Sequence, residues 1–459
     1  MAKTSLSGFP EWLPSQRLIE QHFLNVLQNT FELHGFSSIE TRAVEPLSEL
    51  TRKGETSKEV YLLSRLQAAP GENEDPRKQL GLHFDLTVPF ARYVLEYAGQ
   101  LTFPFKRYQI QKVWRGERPQ EGRFREFIQA DIDVVGDGKL PLHYDAELPL
   151  IMHEALSALP IPPVLLHVSN RKVAQGFYTT IGVAEESLIE VLRVVDKLDK
   201  IGPEAVAQEL EETVGLSSTQ AHLALQMAGI TASNGAELEA KLRTLLEQAG
   251  LEANELLEQG VAELAGVLEV AARRRPGALI ADLKIARGLD YYTGTVYESE
   301  LIGHEDLGSI CSGGRYDSLA SNGKRAFPGV GLSIGVSRLL ARVIGAGLVQ
   351  VSRPVPTAVL VAVTDEDSRP VSEAVADKLR ARGICVDVAP TAAKFGKQIK
   401  FADKRGIPFV WFPAAVDEAA SSGADSVKDI RSGEQVEADA ATWQCPEQDL
   451  RVQVTAAQV

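Results

Sequence analysis

The sequence is poor in cysteine, and the few it has are scattered. Cys311, Cys385 and Cys445 are the whole complement. None forms a CxxC or sits beside a histidine, so neither a structural zinc nor a disulfide framework is expected. Long apolar runs are also missing, and charged residues interrupt the shorter ones, so no membrane-spanning helix is expected. The opening MAKTSLSGFPEWLP has no apolar core behind a basic stretch. No secretory signal is therefore expected, and the expected compartment is the cytoplasm. There is no Walker P-loop and no HExxH, and the glycines of GVGLSIG (329–335) fall at the wrong spacing for a dinucleotide fingerprint. That segment does contain a G-x-S-x-G elbow. The α/β-hydrolase fold needs a histidine after the serine, however, and the last histidine here is His304. Hydrolase chemistry of that kind is excluded.

A chain of 459 residues is too long for one core and implies two or three domains. Its 44% hydrophobic and 24% charged content is that of an ordinary soluble globular protein. A net charge of −14 argues against a general nucleic-acid coat protein. Positive charge is nevertheless concentrated in two places. Lys106–Arg125 carries seven Lys/Arg against Glu117 and Glu121, and Lys394–Arg405 carries five against Asp403. Each run reads either as a solvated face or as a nucleic-acid contact.

Pro14–His34 has helical apolar spacing (Leu18, Phe23, Val26, Leu27, Phe31) and stops at Gly35. Gln67–Gln79 reads as an exposed loop, Leu80–Thr87 as a strand, and Pro89–Tyr97 as a helix. From about Arg171 to Arg274, Leu, Ala, Glu and Val dominate, which predicts a helical block. Strand character resumes at Leu279–Arg287 and continues through Tyr291–Leu301, and Arg353–Pro356 reads as a linker. Beyond it the chain alternates: strand 357–363, helix 368–382, strand 384–388, helix 394–405, strand 407–412. This βαβαβ order predicts a small parallel sheet covered by helices.

Two extended runs, Lys106–Arg115 and Phe124–Val135, flank the loop GERPQEGR and predict an antiparallel hairpin with a long basic tip. On the second strand Phe127, Gln129, Asp131 and Asp133 share one face, while Ile128, Ala130, Ile132 and Val134 share the other. The polar face either lies in water or meets a cationic ligand such as an ammonium or a protonatable ring. The predicted strand before Pro89 puts Asp85 and Thr87 on one face; Thr87 is equally readable as a helix N-cap. Further candidates lie in ARGLDYYTGTVYE (286–298) and in the glycine-rich CSGGRYD (311–317). GVGLSIG itself reads as a strand with small residues on one face and Val330, Leu332, Ile334 and Val336 on the other, followed by a helix opening near Arg338.

Together these segments resemble the histidyl-tRNA synthetase family of class II aminoacyl-tRNA synthetases, over nearly the whole chain. FKRYQIQKVWRGERPQEGRFREFIQADIDVVG resembles motif 2 and PGVGLSIGVSRLL motif 3. ARGLDYYTGTVYE and CSGGRYDSL resemble the two histidine-specific peptides, and LHFDLTVPFARY the amino-acid-holding peptide. The resemblance implies an α+β catalytic domain built on an antiparallel sheet, with a helical insertion and a C-terminal α/β anticodon-binding domain. Residues 1–170 with 275–350, 171–274 and 355–459 would supply these three parts. It implies ATP-dependent attachment of histidine to tRNA(His) through a histidyl-adenylate, with Mg2+ accompanying ATP, in a homodimer with no membrane association. Arg115 and Arg287 match catalytic arginines. Asp85, Thr87 and Gln129 match residues that hold the α-ammonium, while Asp133 and Tyr292, with neighbouring Tyr291, match those of the histidine side. Glu117, Arg123, Phe127 and Arg338, together with Arg115, match ATP contacts, and no metal is held by side chains alone. Three positions depart from the family pattern: Arg42 stands where motif 1 usually has proline, Ser337 where glutamate usually precedes Arg338, and His83-Phe84 where Arg-Pro or Arg-Tyr is usual. The competing reading is a non-catalytic relative, the regulatory subunit of ATP phosphoribosyltransferase. That subunit typically lacks the anticodon domain and degrades the histidine-specific peptides.

Overall fold

Leu18, Phe23, Val26, Leu27 and Phe31 recur at helical spacing, and the chain forms helix α1 (Pro14–Leu33) there. Gly35, at φ 77°, takes the left-handed turn that ends it. The computed structural model describes residues 6–51, 59–67, 75, 78–286, 292–414 and 423–457. The chain divides into two compact units, Met1–Pro10 with Leu24–Gly345 and Glu11–Phe23 with Ala346–Val459.

The first unit is built on a nine-stranded sheet. In chain order its strands are β1 (Ser37–Ser38), β2 (Phe105–Trp114), β3 (Glu126–Val135), β4 (Val164–Asn170), β5 (Thr231–Ala232), β6 (Leu279–Asp282), β7 (Thr295–Leu301), β8 (Cys311–Tyr316) and β9 (Gly329–Gly335). Across the sheet they run β1-β2-β3-β9-β8-β7-β4-β6-β5. The centre, from β2 to β4, is antiparallel throughout; only β1–β2 and β4–β6 pair in parallel. The predicted hairpin is β2–β3, with Phe105 opposite Val135 and Trp114 opposite Glu126.

Both faces of β3 are buried from Gln129 to Val135, and helices His143–Ser157 (α3) and Val336–Gly345 (α6) pack on the strand. Leu80–Thr87 is less of a strand than expected. Pairing stops at Leu82, and helix α2 already begins at Thr87 (Thr87–Tyr97). Pro89 explains the difference, since its missing N–H is harmless only in a helix's first turn. The capping group is Asp85, whose Oδ1 accepts the Val88 N–H at 3.0 Å. Asp85 and Thr87 therefore do not share a strand face.

Between 171 and 274 the chain is helical apart from β5. It opens with α4 (Arg171–Thr180) and closes with α5 (Glu255–Arg274). These two helices meet backbone to backbone. A Cβ on Gly260 would lie 2.6 Å from the Val173 nitrogen, and one on Gly176 would lie 2.5 Å from the Leu257 nitrogen. Asn254 seals the crossing: its Oδ1 caps Leu257 and its Nδ2 donates to the Gly176 carbonyl.

In the second unit the expected alternation is present as β10 (Val359–Val361), α7 (Arg369–Ala381), β11 (Val386–Val388), α8 (Phe395–Lys404) and β12 (Phe409–Phe412). These strands are parallel, in the order β11-β10-β12. Two short polar strands, β13 (Ser426–Asp429) and β14 (Gln435–Glu437), extend the sheet antiparallel beyond the expectation. No helix among the described residues is long and apolar enough to cross a membrane.

Gly260→Ala should force α4 and α5 apart and destabilise the first unit by about 1–3 kcal/mol. Thermal unfolding checks this; an unchanged melting temperature would show that the crossing has slack.

Candidate active site

Arg115 leaves the end of β2 at the base of the hairpin tip. Its guanidinium lies over the Phe84 ring at 4.3 Å and the Phe127 ring at 5.1 Å. Its Nε donates to the Phe84 carbonyl at 3.2 Å. A planar cation held between two rings keeps its edge available for an anion. Glu117 lies 3.9 Å from both Arg115 and Arg123. The nearby Glu59 carboxyl is pushed up by burial and then by the Glu117 charge. From α6, Arg338 reaches the Leu307 carbonyl. Arg115, Glu117, Arg123, Phe127 and Arg338 line a cavity of about 290 Å³ together with Gly122, Phe124, Gln129, Ser312 and Ser333, at the small end of ligand sites. Three guanidiniums against one carboxylate make it a cationic site, suited to phosphate and carboxylate oxygens.

Farther along the same face of β3 the charge reverses. Gln129 Nε2 donates to Ser333 Oγ at 2.6 Å, and beyond it Asp131 and Asp133 are only 2% and 3% exposed. The polar face is therefore not in water. Part of the counter-charge is internal. Arg107, wholly buried, sits on β2 directly opposite Asp133. Its Nη2 lies 2.6 Å from Asp133 and 3.8 Å from Asp131, and its guanidinium stacks on Phe90 at 4.3 Å. From β8, the Tyr316 hydroxyl donates to Asp133 Oδ1 at 2.7 Å. The small residues of β9 make the room: a Cβ on Gly331 would fall 2.0 Å from Asp133 Oδ1. Burial pushes the Asp131 carboxyl up to about 7, with Arg107 opposing and Asp133 and Asp85 adding to the rise.

The cavity thus brings together Arg115, Glu117, Arg123, Phe127, Gln129 and Arg338. Asp85, Thr87, Asp133 and Tyr292 do not line it. Asp85 is buried at the start of α2, close enough to act on Asp131. Thr87 is the first residue of α2. Tyr292 packs against the cluster containing Phe90 and Tyr316. Arg287 and Tyr291 lie outside the described residues. Just beyond them the chain is anchored: the Thr293 N–H donates to the Arg315 carbonyl at 2.9 Å, and Arg315 grips buried Asp145 through Nε and Nη2.

Sequence reasoning missed Arg107, Tyr316, Ser312 and Ser333. Only a cross-strand register flags Arg107, which by sequence is one of the seven cations of the basic run Lys106–Arg125. The departures from the family pattern find local partners. Ser337 Oγ accepts the Ile128 N–H at 2.9 Å, tying α6 to β3. His83 Nε2 meets the Lys112 carbonyl at 2.6 Å, and Arg42 pairs with Glu45 at 2.8 Å.

A predominantly antiparallel sheet carrying a cationic, ring-floored cavity is the architecture of class II aminoacyl-tRNA synthetases. The family model described as Histidyl-tRNA synthetase matches residues 8–339, and that of the Anticodon binding domain matches residues 357–442. The chain belongs to the histidyl-tRNA synthetase family. It is 58% identical to the histidine–tRNA ligase of Bifidobacterium longum subsp. infantis over 97% of each chain. To that of Micrococcus luteus it is 59% identical, over 99% of each. The crystal structure of histidyl-tRNA synthetase from Nostoc sp. PCC 7120 superposes with a TM-score of 0.83 at 38% identity, covering 96% of this chain and 97% of that one.

Because burial raises the Asp131 carboxyl, the folded protein holds a proton there that the unfolded chain releases near pH 4. The resulting stabilisation is complete below about pH 4 and is lost as pH rises through about 7. Asp131→Asn should therefore gain melting temperature relative to the parent between about pH 5 and pH 8. A difference that stays constant with pH would contradict the buried, proton-holding Asp131.

Proposed function

We propose that the protein attaches histidine to tRNA(His) in two steps, through a histidyl-adenylate. The observation that carries this reading is the reversal of charge along one strand face, cationic around Arg115 and Arg338 and acid-rich at Asp131 and Asp133. Free histidine has the matching polarity, with a carboxylate at one end and an ammonium and a protonatable ring at the other.

In the first step a histidine carboxylate oxygen attacks the α-phosphorus of ATP, and the bond to the departing pyrophosphate breaks. Two anions must meet, so fixed cations lower the barrier. Arg115 would bridge the carboxylate and α-phosphate, with Arg287 against the same charge. Phe127 would carry the adenine ring, and Glu117, Arg123 and Arg338 would meet the rest of ATP. Asp85, Thr87 and Gln129 would hold the ammonium, and Asp133 with Tyr292, beside Tyr291, would face the imidazole. Mg2+ takes few protein ligands and many phosphate oxygens and waters, and Glu117 is the cavity carboxylate able to supply one. The metal would offset phosphate charge. In the second step a hydroxyl at the tRNA 3′ end attacks the activated carbonyl and AMP leaves. The basic hairpin tip suits the acceptor end, and α8, with Lys397, Lys400 and Lys404, suits the anticodon region.

Residues 1–170 with 275–350 would form the catalytic domain, 171–274 a helical insertion and 355–459 the anticodon-binding domain. A homodimer in the cytoplasm completes the reading. A structure described as an ATP phosphoribosyltransferase regulatory subunit/histidyl-tRNA synthetase from Bacillus halodurans C also superposes, with a TM-score of 0.71 over 87% of this chain, but at 18% identity it speaks to fold alone. The anticodon-domain match and the retained arginines weigh against a regulatory role for the present chain.

Of the twenty amino acids, histidine alone should support exchange of pyrophosphate into ATP, with discrimination of roughly 10⁴-fold or more. Arg287→Ala should lower that exchange by about 10²-fold or more with the dimer intact by sedimentation. Exchange with another amino acid would overturn the specificity, and near-normal exchange in the variant would overturn the role of Arg287.

A further inference from the structure

Arg107 is a charged side chain that the proposed reaction does not use, and it is wholly buried. Its Nη2 lies 2.6 Å from Asp133. None of its Nε, Nη1 and Nη2 makes a well-directed hydrogen bond among the described residues, so its charge rests on ion-pair contact with Asp133, on the more distant Asp131 and on the Phe90 face. Guanidinium does not give up its proton in proteins, and a charge this deep is tolerated only if it is paired. Its position is set by strand register rather than by a flexible loop: Arg107 and Asp133 are direct cross-strand neighbours.

We propose that Arg107 is a specificity-determining positioning residue, which holds Asp133 as an oriented, ionised acceptor for an imidazole N–H of histidine. This rests on the reading that Asp133 faces the ring. An ionised carboxylate only accepts, whereas a protonated one also presents an O–H. It accepts at about four positions, so it can hold its internal partners and a ligand N–H together. An amino acid without a ring N–H would leave that buried acceptor unpaired, which is the strongest form of rejection a pocket has. Tyr316 fixes one oxygen of Asp133 and Arg107 the other, which sets the direction from which a donor can approach.

Among the described residues, other titratable groups nearby are Asp131 on β3, Cys311 on β8 and Asp85 ahead of α2. Opposite Asp133, β9 brings only Gly331, with Ser333 two residues on. Asp131, farther from the guanidinium, already rises to about 7. A carboxyl buried in this position without its cation loses the charge that opposes burial and is shifted upward.

Removing Arg107 alone strands two buried carboxylates and endangers the fold. The test therefore uses Arg107→Met/Asp131→Asn, which removes the cation and one of the two buried acids, with Asp131→Asn as its reference because Asp131 itself rises to about 7, and with Arg107→Lys and Asp133→Asn beside it. Pyrophosphate exchange by each full-length variant gives KM for histidine and for ATP across pH. In the double variant, the histidine KM relative to Asp131→Asn should be about tenfold larger at pH 6.5 than at pH 8.5, with the ATP KM within about twofold of that reference. Arg107→Lys keeps the charge and should restore a flat ratio. A pH-independent ratio in the double variant, or a lysine variant that behaves like it, overturns the role of Arg107. If Asp133→Asn leaves the histidine KM unchanged, the placement of the ring falls, and the role of Arg107 falls with it. If Asp133→Asn raises KM while the Arg107 variants stay flat, only the role of Arg107 falls.

Discussion

Burying Asp131 and Asp133 on one strand face takes two carboxylates out of water, at an effective cost of several kcal/mol for each that stays charged. The ion pair between Arg107 and Asp133 makes that burial possible, and much of the surrounding architecture follows from it. The guanidinium needs a neighbour it can stack on, and Phe90 of α2 is there. The carboxylate needs space and a second donor. Gly331 of β9 supplies the first and Tyr316 of β8 the second. Five elements, α2, β2, β3, β8 and β9, are thereby committed to one arrangement, because sliding β2 by a single residue would turn Arg107 to the other face.

The same pair fixes the sense of the site. The cavity end of β3 faces arginines, and the deep end faces acids. On the proposed reading, a zwitterion with a basic side chain would fit in one direction only, with its carboxylate at the end where Arg115 lies between Phe84 and Phe127. Orientation of this kind is a large part of what an enzyme contributes to a reaction between two anions.

Much of this was legible in the sequence because it depends on local periodicity. The hairpin, the small-residue strand GVGLSIG, the helical run after Arg171 and the βαβαβ alternation after Arg353 all follow from spacing and turn residues, and their strands and helices are where that spacing puts them. What escaped depends on which strands become neighbours. The acids at Asp131 and Asp133 looked as though they wanted an external cation, because nothing local identifies Arg107, 26 positions before Asp133, as lying across from it. Asp85 was paired with Thr87 on a strand face because the three residues before a proline-bearing helix are equally readable as strand or cap. Tyr316 sits in a segment whose spacing shows only paired glycines, and its partner is 183 positions away. Strands β13 and β14 are short and polar, and carry too little alternation to be seen.

The central claim concerns where one ring binds. A crystal structure of the enzyme with histidine would test it most directly. The account predicts a ring nitrogen within hydrogen-bond distance of the Asp133 carboxylate, the Asp133–Arg107 contact retained, and the amino-acid carboxylate directed at Arg115. A histidine whose ammonium occupies Asp133, with its ring out in the cavity among the arginines, would contradict it.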